Sequence, residues 1–443
     1  MADNLALTRI EKLLDEGSFV EIGALVSAKQ TDFSLKNYGE ASDGVITGYG
    51  LIDSNPVFVY SQNRDVLGGT LGEMHAKKIA GIYDRARQKG APVIGFIDCG
   101  GFRLQESVDA LAAFGELLTS QTLEASDRLQ ICGVFGNCAG GLSVIPALSD
   151  FTFMTKNANM FINSPQTITD DPKLAKGFSS WEFQSGVSGN AEVCESEDEA
   201  IGKIRKLVIM LSEDDYGCCG ADELNRLVTE QNPESLDTRL LISEIADNRE
   251  FIEYRPEFCP EMITGIMRIN GLRVAVMGNA PDKVKGLTAG GCIKAAEFLN
   301  VAIEANLPVL NIAAAEGFEP VSENERMLAR ALSELIRKFS RLEGGKVNLI
   351  AGNVYGSVYS AIVSAPDPDA TNMTFAWNNV KVGMMEAEKA VGIMFAEDEN
   401  REKALSDYEK TQNSIYSAAA RGCVDAVINP AETRKHLIMA FSI

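Results

Sequence analysis

Histidine is nearly missing from this chain: its 443 residues include two, His75 and His436. A histidine-based triad or a polyhistidine metal site has little to work with, and no metal is expected. His75, at the start of a helix after GGTLGE, reads as a capping or packing residue. Positive charge is also short. Lys and Arg number 41 against 62 Asp and Glu, a net charge of −21. That balance argues against nucleic acid or an anionic membrane as the main partner, while leaving room for a local basic pocket. No GxxxxGK[ST] loop occurs and no GxGxxG follows a strand, so nucleotide hydrolysis and nicotinamide redox chemistry are disfavoured. The nine cysteines are odd in number, include no CxxC pair and follow no signal peptide. They read as reduced thiols of a cytoplasmic protein, not as a disulfide framework or a zinc ribbon. No run approaches 18 uninterrupted apolar residues, so no membrane insertion is expected.

What the chain does have is itself, twice. Hydrophobic residues make up 45% and charged residues 23%, ordinary globular usage, and the length suggests two to three domains. TRIEKLLDEGSFVEI, with Phe19, returns as TRLLISEIADNREFIEY, with Phe251, 232 positions on. DGVITGYGLIDSNPVFVY (Thr47-Gly48) returns as PEMITGIMRINGLRVAVM (Thr264-Gly265) at an offset of 217. The block holding Lys77 and Pro92 pairs with that holding Lys294 and Pro308 at offsets of 217 and 216. GNCAGGLSV (136–144) pairs with GNVYGSVYS (352–360) at 216. Four blocks in one order at nearly constant spacing mean two homologous halves, 1–225 and 226–443, with 212–237 as the polar connection. Each half alternates helices, expected near 74–89, 107–124 and 292–305, with short apolar strands such as VIGFID and VLNIAA. The grammar is that of an α/β fold with right-handed crossovers.

The turns GNCAGG and GNVYGS each follow a strand and precede a helix. Their N–H groups lie at the positive end of a helix dipole, where a phosphate or a developing oxyanion can be held. DCGGF (98–102) and AAEGF (314–318) place a second glycine-bearing strand end in each half, the edge at which α/β sheets bind ligands. With so few histidines, the chemistry that remains is catalysis by aligned backbone amides on a carbonyl that becomes an anion.

The motifs GGTLGEMHAKKI, DCGGFRLQE, GNCAGGLSVIPALSDFTFM, the SGN at 188–190 and SAAARGCVDAVINPAETR run over nearly the whole length. In them the chain resembles the carboxyltransferase subunit of biotin-dependent acyl-CoA carboxylases and decarboxylases, of the propionyl-CoA carboxylase β and methylmalonyl-CoA decarboxylase α type. The resemblance implies two tandem crotonase-like (ClpP/crotonase) β-β-α superhelix domains. It further implies a homohexamer, with each active site between the N-half of one subunit and the C-half of another. It implies carboxyl transfer between carboxybiotin and a short-chain acyl-CoA such as propionyl-, methylmalonyl-, acetyl-, malonyl- or glutaconyl-CoA. Two oxyanion holes would serve that reaction, one from Gly140 and Gly141 and the other from Ser357 and Val358. Gly100, Gly101, Phe102, Arg103, Gly317 and Phe318 would line the substrate, and Lys77 or Lys78 would meet the CoA phosphates. Arg103 reads equally as a CoA contact or a structural ion pair. No AMKM-like attachment site is present, so biotin would arrive on a separate carboxyl carrier protein. A biotin carboxylase or a membrane decarboxylase subunit would complete the system.

The chain also departs from the family. YGGAY becomes Tyr355-Gly356-Ser357-Val358-Tyr359, D-V-P-G-F becomes Ala314-Ala315-Glu316-Gly317-Phe318, and the small residue of G-G-A-R becomes Phe102. A serine keeps its N–H donor, so the second hole survives if φ at Ser357 is negative. Two other readings stand beside the transferase. One is a degenerate CoA-binding or scaffold subunit. The other is a biotin-independent crotonase-like decarboxylase, hydrolase or isomerase, in which Glu106 or Glu316 would have to act.

Overall fold

The computed structural model describes residues 4–33, 42–124, 128–212, 221–364, 373–395 and 401–442. The chain divides into two compact units, Met1–Ser212 and Glu213–Ile443. The first is built on strands β1 (Val20–Glu21), β2 (Val45–Ile52), β3 (Asn55–Gln62), β4 (Val93–Cys99), β5 (Gln130–Ala139), β6 (Phe151–Thr155), β7 (Asn159–Phe161) and β8 (Glu192–Cys194). They lie in the order β1-β2-β3-β4-β5-β6-β8, with β7 on the end of β5. β1, β2 and β3 pair antiparallel, and all later pairs are parallel.

The second unit repeats this strand for strand. It contains β9 (Phe251–Glu253), β10 (Met262–Ile269), β11 (Leu272–Asn279), β12 (Val309–Ala313), β13 (Lys346–Ile350), β14 (Val354–Tyr355), β15 (Met373–Trp377), β16 (Val382–Gly383) and β17 (Ala426–Ile428). Its main sheet runs β9-β10-β11-β12-β13-β15-β17, and β14 pairs with β16 as β5's end pairs with β7. Every residue of β4 and of β12 is buried. Strands covered on both faces read as continuous apolar runs, which is why VIGFID and VLNIAA are legible.

The duplication reaches side-chain detail. Asp53-Ser54 and Asn270-Gly271 make two-residue hairpin turns with both φ values positive, as a right-twisted hairpin requires. Asp15 accepts from the Asp53 and Ser54 N–H groups at 3.1 and 3.0 Å. Asp247, 232 positions later, accepts from Asn270 and Gly271 at 2.9 and 2.8 Å. Arg205 then pairs with Asp15, and Arg434 with Asp247.

The helices expected near 74–89, 107–124 and 292–305 are Glu73–Lys89, Val108–Glu124 and Ala289–Glu304. Their burial corrects one pairing. In the helix Glu73–Lys89 the buried set includes His75, Ala76, Lys78, Ile79, Ile82 and Tyr83; its counterpart buries Gly291, Cys292, Lys294, Ala295, Phe298 and Leu299. These coincide at an offset of 216, so Lys294 corresponds to Lys78, not to Lys77. The hairpins keep 217, because the loop from β11 to its helix is one residue shorter than the loop after β3. Among the described residues no helix is long and apolar enough to cross a membrane.

Candidate active site

In the first unit β5 ends at Ala139, and the chain turns at Gly140 into a short helical segment, Gly140–Ser143, followed by Val144–Leu148. Gly140 has φ +69°, a left-handed conformation that costs other residues about 1–2 kcal/mol. Ser143 Oγ fixes the turn by donating towards Cys138 O (3.0 Å) and Phe161 O (2.7 Å). The first N–H groups after Gly140 have no acceptor within the helix they open.

A second loop approaches this turn. Beyond β4, Gly101 takes φ +113° and Phe102 forms a parallel bridge with Leu71. Leu71 N–H donates to Gly101 O (2.9 Å) and Arg103 N–H to Leu71 O (3.0 Å). A bridge bracketed in this way leaves the N–H of its central residue facing away from the partner strand. The Phe102 N–H is therefore a donor that the sequence did not single out, although Phe102 itself was named. Its ring lies 3.4 Å from the point a Cβ on Gly141 would occupy, so loop and turn meet at Phe102 and Gly141.

The second unit builds the same arrangement. Leu287 N–H donates to Gly317 O (2.8 Å), Glu319 N–H to Leu287 O (3.0 Å), and Gly317 has φ +123°. The turn is made by Gly356 at φ +67°, whose N–H is bound to Gly383 O (2.9 Å). Ser357 and Val358 follow as the first helical residues, and Tyr359 N–H returns to Gly356 O (3.1 Å). Ser357 is not among the positive-φ residues. The left-handed position is Gly356, which the chain retains, so the serine's Cβ meets no backbone penalty. The repeat thus equates Gly140 with Gly356 and Gly141 with Ser357, and Val358 corresponds to Leu142.

A cavity of about 280 Å³ opens at this second turn, lined among others by Ser357, Tyr359, Val382, Met384, Arg421 and Cys423. Tyr359 is held there by its hydroxyl, which donates to Cys423 O at 2.7 Å. A separate cavity of about 320 Å³ is lined by Tyr355 and the carboxylates Glu234, Glu316, Glu386, Glu388 and Glu409. Glu316 lies 3.5 Å from Lys285, and Lys381 pairs with Glu409 at 3.1 Å. Burial, reinforced by these carboxylates, pushes the Tyr355 hydroxyl well above its ordinary pKa.

Arg103 is buried. Its Nη1 pairs with Asp43 (2.7 Å) and Glu106 (2.8 Å), and its Nη2 donates to Thr70 O (2.7 Å). Burial raises the Asp43 pKa against the opposing pull of Arg103. Glu106 also accepts the Glu73 N–H at 2.5 Å, closing the N-terminus of that helix. Arg103 and Glu106 are thus engaged in holding the loop. Lys77 lies on the exposed side, paired with Glu73 at 2.8 Å. Lys78 is buried, donating to Ser42 O, Ser42 Oγ and Val45 O. Gly100 packs its N–H on Gly68 O at 3.2 Å.

A helix-opening turn facing a glycine loop, made twice at one offset, is a distinctive signature, and the comparisons agree with it. The chain matches the carboxyl transferase domain family over residues 2–443. It belongs to that family. This carboxyl transferase is 33% identical over 464 residues to the methylmalonyl-CoA decarboxylase subunit alpha of Propionigenium modestum, covering 99% of this chain and 89% of the relative. It is also 33% identical to the propionyl-CoA carboxylase beta chain of Roseobacter denitrificans, covering 99% and 90%. Among solved structures it superposes with TM-score 0.91 and 30% identity on transcarboxylase 12S, a hexamer with methylmalonyl-CoA and methylmalonic acid bound, covering 99% and 89% of the two chains. The carboxyltransferase resemblance and the expected fold class, α/β with two crotonase-like halves in tandem, both stand.

Proposed function

We propose that this carboxyl transferase moves a carboxyl group between biotin on a separate carrier protein and a short-chain acyl-CoA thioester. The observation that carries the reading is the twofold pairing of a left-handed glycine turn with a glycine loop, Gly140 with Gly101 and Gly356 with Gly317. Carboxylated biotin supplies the group to be moved. The chain supplies two preorganised sets of N–H donors, each aimed at a carbonyl oxygen that gains negative charge. Phe102, Gly141 and the following N–H form one set, and Phe318, Ser357 and Val358 the other. A preset donor of this kind is worth about 10²–10³ in rate. The retained backbone at Ser357 supports an active second half over a degenerate scaffold. The engagement of Glu106 with Arg103 and a helix N-terminus speaks against a carboxylate-based hydrolase in the first half. The cavity at Ser357, walled in part by Val382, Met384 and Ala418, has room for a neutral ureido ring or a thioester.

The working form in this reading is a cytoplasmic homohexamer served by a biotin carboxyl carrier protein and a biotin carboxylase or membrane decarboxylase subunit. Lys77, exposed beside Glu73, is the cation assigned to a CoA phosphate in the first unit. The test offers the purified protein malonyl-, methylmalonyl- and glutaconyl-CoA with and without free biotin, following loss of the acyl carboxylate by mass spectrometry. Biotin-dependent loss is the expected result. Loss that ignores biotin would move the protein to the simple decarboxylases, and no reaction with any of the three would overturn the transferase reading.

A further inference from the structure

We propose that the Phe102 side chain is the wall that limits acyl length at the first unit's site, so that a two-carbon acyl group is preferred over longer ones. The inference rests on the acyl-CoA reading above and narrows its substrate class. Three observations combine. First, the backbone fixes the side chain's direction. Phe102 is bracketed by the Leu71–Gly101 and Arg103–Leu71 hydrogen bonds, and the preceding Gly101 sits at φ +113°. Second, the ring is held in place. It meets Phe114 edge-on at 5.0 Å between centroids and an interplanar angle of 72°. Third, the ring stands over the turn. Its Cε2 and Cζ lie 3.4 and 3.5 Å from the Cβ position of Gly141, the residue whose N–H faces the reacting oxygen in this reading. The ring carbons thus occupy the space beside that donor. Phe102 is also only half-buried, so part of the ring remains to face a ligand.

The acyl chain is the apolar and variable part of the two reactants, and the ring, backed edge-on by Phe114, offers it an apolar boundary. A pocket discriminates one methylene by roughly 10–200-fold. Removing the ring should therefore relax acyl length while leaving the contacts to the rest of CoA unchanged.

The experiment titrates the full-length protein with acetyl-, propionyl-, butyryl- and hexanoyl-CoA by calorimetry, using wild type, Phe102→Ala and the intermediate-sized Phe102→Leu. Wild-type affinity should fall at least about tenfold from acetyl- to hexanoyl-CoA. Phe102→Ala should level or reverse that order, and Phe102→Leu should lie between. A wild type indifferent to chain length would overturn the proposal. So would variants that shift all four ligands by one common factor. Failure of the wider reading looks different: wild type would bind the acyl-CoAs in this order yet transfer no carboxyl group, or would bind none of them.

Discussion

Lys78 and Lys294 occupy the same turn of the same helix in the two halves, and only the ammonium of Lys78 has hydrogen-bond acceptors. Lys78 reaches Ser42 O, Ser42 Oγ and Val45 O at 3.1, 2.9 and 2.6 Å. Lys294 is fully buried, and its Nζ meets no partner among the described residues. The hairpin offset of 217 places Cys259 where the first half has Ser42, so one of the three acceptors, the Ser42 hydroxyl, has no counterpart in the second half. Both residues sit at positive φ, +43° and +76°.

Lys294 should therefore weaken the fold at neutral pH. Burial pulls its pKa down from 10.5 to about 8, so folding disfavours its charged form. Below pH 8 both folded and unfolded chains carry the proton and the cost is felt in full. The cost fades between pH 8 and 10.5 and is absent above that. Lys294→Met should raise stability at pH 7 by up to about 3 kcal/mol, with the advantage shrinking towards pH 10. Cys259→Ser, returning a hydroxyl, should gain about 1 kcal/mol at pH 7. Urea midpoints at pH 7 and 10 measure both; a Lys294→Met variant no more stable than wild type at pH 7 contradicts the account.

Much of this was legible in the sequence, and the part that was not has a physical cause. The four repeated blocks gave away the duplication, since buried parallel strands and left-handed turns tolerate few residue types. Gly140, Gly101, Gly317 and Gly356 were visible for that reason. The one-residue slip between hairpin and helix was not visible, because Lys77-Lys78 offers two lysines and only burial tells which one faces inward. Donor N–H groups such as that of Phe102 leave no trace in sequence at all: any residue but proline supplies them, and only the hydrogen bonds on either side show which way they point. Arg103 could be read two ways until Asp43 and Glu106 appeared on either side of it.

The left-handed glycine and the serine beside it should respond in opposite ways. Gly356→Ala puts a Cβ on a residue at φ +67°, 3.4 Å from Met384 O, at a cost of about 1–2 kcal/mol. Relief of that strain would turn the Ser357 and Val358 N–H groups away, so turnover should fall by about 10²-fold or more. Ser357→Gly changes no φ requirement and should stay within a few-fold of wild type. Carboxyl-transfer assays on the two variants decide; an equal loss in Ser357→Gly would mean that the serine side chain is needed as well as the turn, and would contradict the account.

Arg103 should prove a residue of stability, not of CoA affinity. It has less than a twentieth of its surface exposed and is shared between two carboxylates that are themselves buried. Removing one partner of a buried ion pair typically costs about 3–5 kcal/mol, because the other is left uncompensated. Arg103→Ala should lower the urea midpoint steeply, and protein that remains folded should bind acyl-CoA with nearly unchanged affinity. A selective loss of affinity at full stability would place Arg103 against the ligand instead.

His75 should steepen the acid limb of stability. Its ring is completely buried, with Nδ1 3.0 Å from Asp43 O and Nε2 3.1 Å from Gln62 Nε2. The carbonyl can only accept, so Nδ1 carries the hydrogen. The Gln62 amide is oriented by its Oε1, which accepts the Asp98 N–H at 3.1 Å, so its nitrogen donates to a bare Nε2. A second proton would set N–H against N–H. Burial first, then the charges of Arg103 and Lys78, hold the pKa down at about 3, against 6.5 for an ordinary histidine. Above pH 6.5 both states are neutral and the full stability is present. As pH falls from 6.5 towards 3, the unfolded chain gains a proton that the folded chain refuses. Stability should then drop by up to about 1.4 kcal/mol per pH unit from this residue alone. Unfolding free energies at pH 7.5, 6.5, 5.5 and 4.5 should show His75→Gln with a slope shallower by close to one proton. Identical slopes would mean that His75 is protonated in the folded chain, and the hydrogen-bond assignment around it would have to be reversed.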